Sequence, residues 1–600
     1  MLRVKLALSA VVIVLAVFAA YTPAFRNGFV WDDTALILRD PLIRSWRLIP
    51  EGFAHFLFLD ATPSDFYRPL QRLVYTLDYW AFAMRPAAYH VTSVLCHAAA
   101  AIALWAFARE LLRRSGAGNA LTERVSFGAA LLWAVHPVHT AAVSYAAGLA
   151  DPLAAAFGFA GLSSALRSED ADKRQRWSYS LAAALLFLAS ALSKESGLLF
   201  PILWLVLLAA RKRWGNMVPW MATVVPVLIL YLSLRLSAEH LPAPHLHPPL
   251  PPLVRPIVAC RAVAEYASIL VIPRTLHVER DLETHPRGAN EESFNAAAER
   301  ELETLWGIVL LAAFAFWAVR VRHDRATFIC LLLAVVCYLP ISGIFALNAN
   351  MAEHWIYVPS AFLFIAAGLT LAHALSARRW LRRVACAAVT ALAVAFAART
   401  FVRNFDWRDQ RTFFERTITS GGDSARILVN LANVEMNESR LAAAHEHLRH
   451  ALEKEPDLPF ALLASASLAI REKDFKTAHQ MLDRAAAMPV VAAQAQELRV
   501  ILENHESGET DLIRMRLAAR TGPPNWPIEK RYIRLLAETG LVAAAITELR
   551  SVLARESYRA ESWQLLAELL QRAGDKAQAS DAMGRARELD VHLALRPRAL

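Results

Sequence analysis

The chain has 600 residues, 56% of them hydrophobic and 20% charged, with a formal net charge of +10 and a mean hydropathy of +0.32. Soluble globular chains hold about 25% charged and about 45–50% apolar residues, so disorder, a collagen-like repeat and a small disulfide-stapled scaffold are excluded. Long apolar runs fill Met1 to about Thr400, and a charged, Ala/Leu-rich, helix-patterned stretch follows from Phe401 to Leu600. This composition reads as an all-α polytopic membrane protein with a soluble C-terminal domain.

A membrane span needs about 20 apolar residues. Candidate spans fall at about 4–22, 90–112, 125–145, 150–167, 177–193, 197–210, 217–236, 303–320, 326–345, 355–375 and 381–400. Basic clusters alternate between them: Arg113, Arg114 and Arg124; Arg167 to Arg176; Arg211 to Arg213; Arg320 to Arg325; Arg378 to Arg383. The positive-inside rule places these in the cytoplasm, provided 256–272 lies along the interface. Basic residues beside apolar runs set topology and do not point to nucleic acid. The five cysteines form no CxxC or Cys/His metal spacing.

Charge alone then assigns the outer face, and ionisable residues collect there. The first outer loop (25–89) holds Asp32, Asp33 and Arg68; the next hairpins hold His136 and Asp151, Lys194 and Glu195, Glu353 and His354. Ionisable groups at membrane depth mark functional sites. Asp32, Asp33, Arg68, His136, Lys194 and Glu353 are expected to surround one outer cavity. The histidines His240, His245 and His247 are interrupted by prolines and read as a stiff loop.

Several of these residues stand in a recurring order: Phe29-Val30-Trp31-Asp32-Asp33, Tyr67-Arg68-Pro69-Leu70, Tyr89-His90 with His97, His136-Pro137-Val138-His139-Thr140, Gly148 to Asp151, Leu192-Ser193-Lys194-Glu195, and Ala352-Glu353-His354 before Tyr357-Val358-Pro359-Ser360. In this order they resemble the transmembrane and tetratricopeptide-repeat O-mannosyltransferase-like family, polytopic glycosyltransferases of the GT-C class. The chain departs from the family at Ala141, Leu149 and His354, where members often carry Glu, Arg and Arg. The resemblance implies inverting transfer from a polyprenyl-phosphate sugar to an acceptor hydroxyl at the outer face. Arg68, His90, His136, Asp151, Lys194, Glu195, Glu353 and His354 are the implied substrate-binding residues.

Such chemistry needs a base for the hydroxyl proton and cations for the leaving phosphate. Adjacent acids in an extended loop point opposite ways, so one is expected to face the cavity and the other to structure the loop; Asp33 is slightly favoured over Asp32 as base. A paired-acid site for Mg²⁺ or Mn²⁺ is the rival role. Arg68 offers a planar fork to phosphate, and Lys194 a point charge; the alternatives are a loop ion pair with a nearby acid for Arg68 and a pair with Glu353 or Asp151 for Lys194.

A 34-residue period runs through the C-terminal part: Ala432 and Ala466, Ala444 and Ala478, Leu448 and Leu482, Ala451 and Ala485, then Gly540 and Gly574. This is tetratricopeptide spacing, with a degenerate third unit at about 493–526. The expected organisation is a membrane domain at 1–400, a connecting segment at 401–424 and a repeat domain at 425–593. The repeats are expected to recruit a protein or peptide acceptor, and their removal from 425 onward to leave donor binding intact. Ala- and Arg-heavy usage fits a bacterial inner membrane, with the repeats in the periplasm. The alternative is a non-catalytic scaffold whose repeats assemble envelope proteins; a surface-polysaccharide polymerase or ligase is a third reading.

Overall fold

The computed structural model describes residues 2–59, 64–214, 217–239, 254–280, 282, 291–345, 347, 349–376, 378–508 and 511–593. The loop bearing His240, His245 and His247 lies outside them. Helices are the regular structure of the described residues, with one isolated bridge between His55 and Glu239. The architecture is all-α: a bundle of apolar helices followed by an α-solenoid.

Helix α1 (Leu2–Tyr21) enters a long loop containing α2 (Ile49–Ala54) and ending in α3 (Pro69–Phe82). The bundle continues with α4 (Pro86–Arg114), α5 (Asn119–Ala134), α6 (Thr140–Val143), α7 (Ala150–Ser168), α8 (Lys173–Ser193), α9 (Leu199–Ala210) and α10 (Met217–Ser237). It closes with α11 (Arg255–Val271), α12 (Glu291–Arg320), α13 (Arg325–Tyr338), α14 (Tyr357–Ala374) and α15 (Arg379–Arg403). Seven stretches among the described residues are long and apolar enough to cross a membrane. The other four expected spans also carry helices, but α5, α9 and α13 have only 16, 12 and 14 residues. The fourth, α8, opens on Lys173, Arg174 and Arg176.

The expected 125–145 span is not one helix. Residues that precede proline avoid the helical region, and His136 is extended, with ψ 130°. Helix α5 therefore stops at Ala134, and the chain turns through Pro137–His139 into α6. Pro137 breaks the helix.

The two ends of the bundle differ in what they gather. At one end the basic hairpins meet acids: Arg114 pairs with Glu110 at 2.7 Å and Arg211 with Glu169 at 2.8 Å. At the other, the loops that link the helices join one another. Asn27 Nδ2 donates to the Asn404 carbonyl (2.9 Å), Ser144 Oγ to Asn404 Oδ1 (2.5 Å) and Thr400 Oγ1 to the Val135 carbonyl (2.8 Å). Between the ends runs one apolar core through Val17, Phe107, Trp133, Phe159, Phe200 and Phe362.

Helix α16 (Gln410–Thr419) leads into five antiparallel pairs: α17 (Ala425–Asn437) with α18 (Leu441–Lys454), α19 (Pro459–Glu472) with α20 (Phe475–Ala486), α21 (Ala492–Ser507) with α22 (Leu512–Arg520), α23 (Trp526–Glu538) with α24 (Val542–Arg555), and α25 (Ala560–Arg572) with α26 (Lys576–Leu589). The 34-residue pattern is a packing pattern, since Ala432, Ala466, Ala444, Ala478, Leu448, Leu482, Ala451 and Ala485 are all buried between helices. The degenerate third unit still forms both helices, the second shortened to 9 residues. Each pair needs its neighbours to cover its apolar faces.

Both ends of the solenoid dock on the first loop. At its start, Trp407, Phe413, Ile427 and Leu431 share a core with Val30, Ile37 and Tyr145. At its end, Leu42, Leu48 and Tyr558 are buried together, with Leu589 packed against them. There Tyr79 donates to Asp590 Oδ1 (2.6 Å), and the Val591 N–H donates to the Arg44 carbonyl (3.2 Å).

Candidate catalytic site

The first loop brings Asp32 and Asp33 against the turn that precedes α7, and treats them differently. Asp33 is fully buried. Its Oδ1 accepts from the Ala147 N–H at 2.6 Å and its Oδ2 from the Val30 N–H at 2.9 Å. Burial pushes its carboxyl up to about 8 against those two donors, and the neighbouring Asp32 adds to the rise. Gly148 makes this clamp feasible, because a Cβ there would meet the Ala142 carbonyl oxygen at 2.8 Å. With both oxygens held by the backbone, Asp33 ties two loops together. Asp33, the sequence-favoured base, is thus the acid of the pair that the backbone clamps.

Asp32 is half-buried. The Tyr145 hydroxyl accepts from its backbone N–H at 2.9 Å and also hydrogen-bonds its carboxyl. Arg426 and Arg68 lie within Coulomb range. Burial raises the Asp32 carboxyl above the usual carboxylate range, while Tyr145 and the two cations pull it back. Trp31, just before it, has φ +48°. A bulky side chain rarely adopts this left-handed conformation, and such strain gathers at functional sites. Trp31 is held by a stack on Tyr145 (6.1 Å between centroids), which itself stacks on Trp407 (5.4 Å).

Arg68, which lies within Coulomb range of Asp32, belongs to a linked set of charges. Arg68 precedes α3 and directs Nε and Nη2 to Glu195 Oε2, both at 2.9 Å. Glu195 Oε1 accepts from the Tyr67 N–H at 3.0 Å, fixing the carboxylate. Arg68 Nη1 has no hydrogen-bond partner among the described residues. The guanidinium also lies 4.4 Å from the Phe66 ring centroid. Lys194, at the end of α8, donates to Asp151 Oδ1 at 2.6 Å in a pair only 10% and 8% exposed. Burial lowers the Lys194 pKa, Asp151 opposes this, and Arg68 adds to the lowering. Asp151 sits in the first turn of α7, where the helix dipole favours its charge. The turn after Lys194 packs tightly because residue 197 is glycine: a Cβ would lie 2.2 Å from the Ser190 carbonyl oxygen. His354 is half-buried and within Coulomb range of Lys194, Asp151 and Arg68.

Asp32, Arg68, Asp151, Lys194, Glu195 and His354 therefore belong together. Glu353, His136 and His90 do not join them. Glu353 is buried on another side, accepting from the His277 N–H at 2.5 Å, with Arg280 and Arg403 each at 3.7 Å. Residues 353 and 354 begin a 3-10 turn, and their side chains part. His136 Nε2 donates to the Leu270 carbonyl (3.0 Å) and its Nδ1 accepts from the Val138 N–H (3.2 Å), so it caps the turn that follows α5. Its ring packs on Phe396 at 4.4 Å. His90 lies buried with Nε2 3.3 Å from the Gly28 carbonyl oxygen. The expectation of one cavity holding all six groups fails for His136, whose two ring nitrogens are engaged by the backbone, and for Glu353, whose charged neighbours are Arg280 and Arg403, although its Oε2 has no hydrogen-bond partner among the described residues.

A Mg²⁺ or Mn²⁺ ion between Asp32 and Asp33 does not fit this donor set. Both Asp33 oxygens face N–H groups, which repel a cation. Among the described residues no group of three or more His, Cys, Asp or Glu is arranged for a metal. The sequence reading also omitted Tyr145 and Arg426. Tyr145 comes five residues after the His-Pro-Val-His-Thr motif, and Arg426 lies in the repeats, where nothing in the pattern marks it as near Asp32.

The motif resemblance extends to curated proteins. The chain is 25% identical over 485 residues to mouse Protein O-mannosyl-transferase TMTC3, covering 74% of this chain and 51% of that protein. It is 23% identical over 455 residues to Protein O-mannosyl-transferase F38B6.6 of Caenorhabditis elegans, covering 73% and 61%. A shorter match, 31% over 140 residues, is to mouse Protein O-mannosyl-transferase TMTC1 and covers 22% of this chain. The chain thus spans about half the length of the first of these relatives. No family model matches it. Among solved structures it is similar to ArnT from Cupriavidus metallidurans bound to undecaprenyl phosphate, with 14% identity, a TM-score of 0.37 and coverage of 81% and 79%. The tetratricopeptide-repeat protein YrrB is also similar, with 17% identity, a TM-score of 0.21 and coverage of 30% and 94%.

Proposed function

We propose that the chain is a membrane glycosyltransferase of the GT-C type that moves a sugar from a polyprenyl phosphate to an acceptor hydroxyl. The names of the curated relatives make mannose the first sugar to test and protein Ser or Thr the first acceptor. The observation that carries the reading is the pairing of a half-buried Asp32, its carboxyl free of the backbone clamp that holds Asp33, with the incompletely paired cation Arg68 and the buried Lys194. A scaffold gains nothing from keeping such charges at the rim of an apolar bundle, where unpaired charge is destabilising.

In this reading Asp32 takes the proton from the acceptor hydroxyl as its oxygen attacks the anomeric carbon. The bond from that carbon to the phosphate oxygen breaks, and the electron pair leaves with the lipid phosphate. Arg68 Nη1 and the Lys194 ammonium meet the charge that develops there. Attack opposite the departing phosphate inverts the anomeric centre. Asp151 and Glu195 hold the two cations in place. The division at 1–400, 401–424 and 425–593 then separates a catalytic bundle from repeats that present the acceptor. The loop face would be the periplasmic side of a bacterial inner membrane.

The test is transfer of radiolabelled mannose from a polyprenyl-phosphate donor to a Ser/Thr peptide by the purified full-length chain. Label in the peptide that disappears in Asp32→Asn supports the reading. Undiminished transfer in Asp32→Asn removes the base, and no donor binding by the intact chain removes the enzyme.

A further inference from the structure

The solenoid does more than sit beside the bundle. Its first helix, α17, begins at Ala425, and the second residue of that helix reaches the loop carrying Asp32. The Arg426 guanidinium carbon lies 5.5 Å from the centroid of the Trp31 ring. On its other side the guanidinium pairs with Glu279 at 3.2 Å, in the segment after α11. Helix α17 is fixed there by burial of Ile427 and Leu431 in the core that holds Val30 and Tyr145. A cation over an aromatic face is attracted by the ring's quadrupole, which favours this arrangement of Trp31.

We propose that Arg426, a residue of the first repeat, is a positioning residue for Asp32: it holds Trp31 in its left-handed conformation and faces the Asp32 carboxylate with positive charge. The inference rests on the reading of Asp32 as the base. Its consequence is that the repeats complete the site as well as present an acceptor. Glu279 competes for the same guanidinium, so a change in how α17 seats on the bundle changes the charge that Asp32 meets. The groups facing Asp32 are Tyr145 from the turn before α7, Arg68 from the end of the first loop, Asp33 from its own loop and Arg426 from α17. Of the two cations, Arg68 is tied to Glu195 through two nitrogens, whereas Arg426 is the one contributed by the repeats.

The experiment reads the protonation of Asp32 without relying on turnover. The full-length protein is treated with a water-soluble carbodiimide and an amine nucleophile over a pH series, and modification at Asp32 is followed by fragmentation mass spectrometry. Only the protonated carboxyl reacts, so the midpoint reports its titration. Arg426→Gln should move the midpoint up by about one pH unit, the low end of what a nearby opposite charge does. Arg426→Lys should restore most of the shift, and Glu279→Gln should move the midpoint the other way. The transfer assay should show the same displacement in the acid limb of its pH profile, with the largest loss below neutrality.

An unmoved midpoint in Arg426→Gln overturns the proposal, as does an equal shift in Arg426→Lys, which would make shape and not charge the cause. A uniform fall in transfer at every pH with an unmoved midpoint means a structural role only. If Arg426→Gln does not fold, Glu279→Gln decides alone, and an unmoved midpoint there overturns the proposal. A midpoint that moves as stated in a protein that transfers no sugar separates the two readings: Arg426 then controls Asp32, and the transferase reading fails.

Discussion

Arg68 and Arg72 stand four residues apart at the start of α3, and the regions they enter treat them in opposite ways. Arg72 is buried and directs every arm at protein: Nε to Asp40 (2.9 Å), Nη1 to the carbonyls of Gly52 (3.0 Å) and His55 (2.9 Å), Nη2 to that of Phe56 (2.9 Å). Arg68 concentrates two arms on one oxygen of Glu195 and leaves the third without a hydrogen-bond partner among the described residues, with Asp32 and Lys194 within Coulomb range. The residue type is the same, so saturation of the donors separates a clamp from a ligand-seeking cation. The contrast repeats with the acids, Asp33 being held by two backbone donors and Asp32 by Tyr145 alone.

The comparison breaks most sharply at the acids. Asp32→Asn should lower transfer by about 10²–10⁴-fold, as loss of a general base does, with thermal unfolding nearly unchanged. Asp33→Asn presents an amide NH₂ to one of two N–H donors and should destabilise the fold by about 1–3 kcal/mol, with transfer surviving in the folded fraction. Paired melting curves and transfer rates check both. The reverse pattern would return the base to Asp33.

Among the cations, Arg72→Gln leaves Asp40 buried and uncompensated, which costs about 3–5 kcal/mol. Its readout is a lower melting temperature without a change in donor affinity of the folded protein. Arg68→Gln should weaken donor binding about 10–100-fold, the equivalent of one or two charge-assisted hydrogen bonds, with little effect on melting. Equal effects of the two substitutions on melting would dissolve the distinction.

The same contrast can be sharpened with pH. Asp33 sits at about 8 in the folded chain, against an ordinary value of 3.8, because burial disfavours its charge. Between those values the folded chain keeps a proton that the unfolded chain releases. The contribution of Asp33 to stability is therefore present below about 4 and is lost as pH rises through about 8. Melting should fall across that window in the wild type, and this part of the slope should vanish in Asp33→Asn.

Much of this was legible in the residues themselves. Apolar run length located the helices, alternating Lys and Arg separated the two ends, and the 34-residue spacing of small residues located the inter-helix contacts. Topology and motif order named Asp32, Arg68, Asp151, Lys194, Glu195 and His354, but together with His90, His136 and Glu353. What was not legible depends on side-chain direction and on long-range docking. Nothing in the sequence tells that Glu353 has Arg280 and Arg403 as its charged neighbours while the adjacent His354 lies within Coulomb range of Lys194. The packing of the first repeat on the bundle was not legible for a similar reason. Ile427 and Leu431 fill a core shared with Tyr145, so a cut at 425 passes through packed side chains and should lower stability and donor binding together.

The smallest expected effect lies at the far end of the solenoid. Tyr79 donates to the buried Asp590 at 2.6 Å, and His592 Nε2 lies 3.1 Å from the Trp80 carbonyl oxygen, so α26 closes back onto α3. Tyr79→Phe removes one hydroxyl and keeps the ring that packs on His592 at 5.2 Å. Loss of a hydrogen bond to a charged group costs about 1.5–3 kcal/mol, but neighbouring contacts such as Arg47 with Glu588 (3.3 Å) remain. Opening should therefore be local: faster amide exchange in α25 and α26, with α17 and the bundle unaffected. If the start of the solenoid is the part built into the site, transfer should barely change. A large loss of transfer in Tyr79→Phe, with exchange still confined to the last pair, would mean that closure of the C-terminal end, and not Arg426 at the first repeat, governs the site.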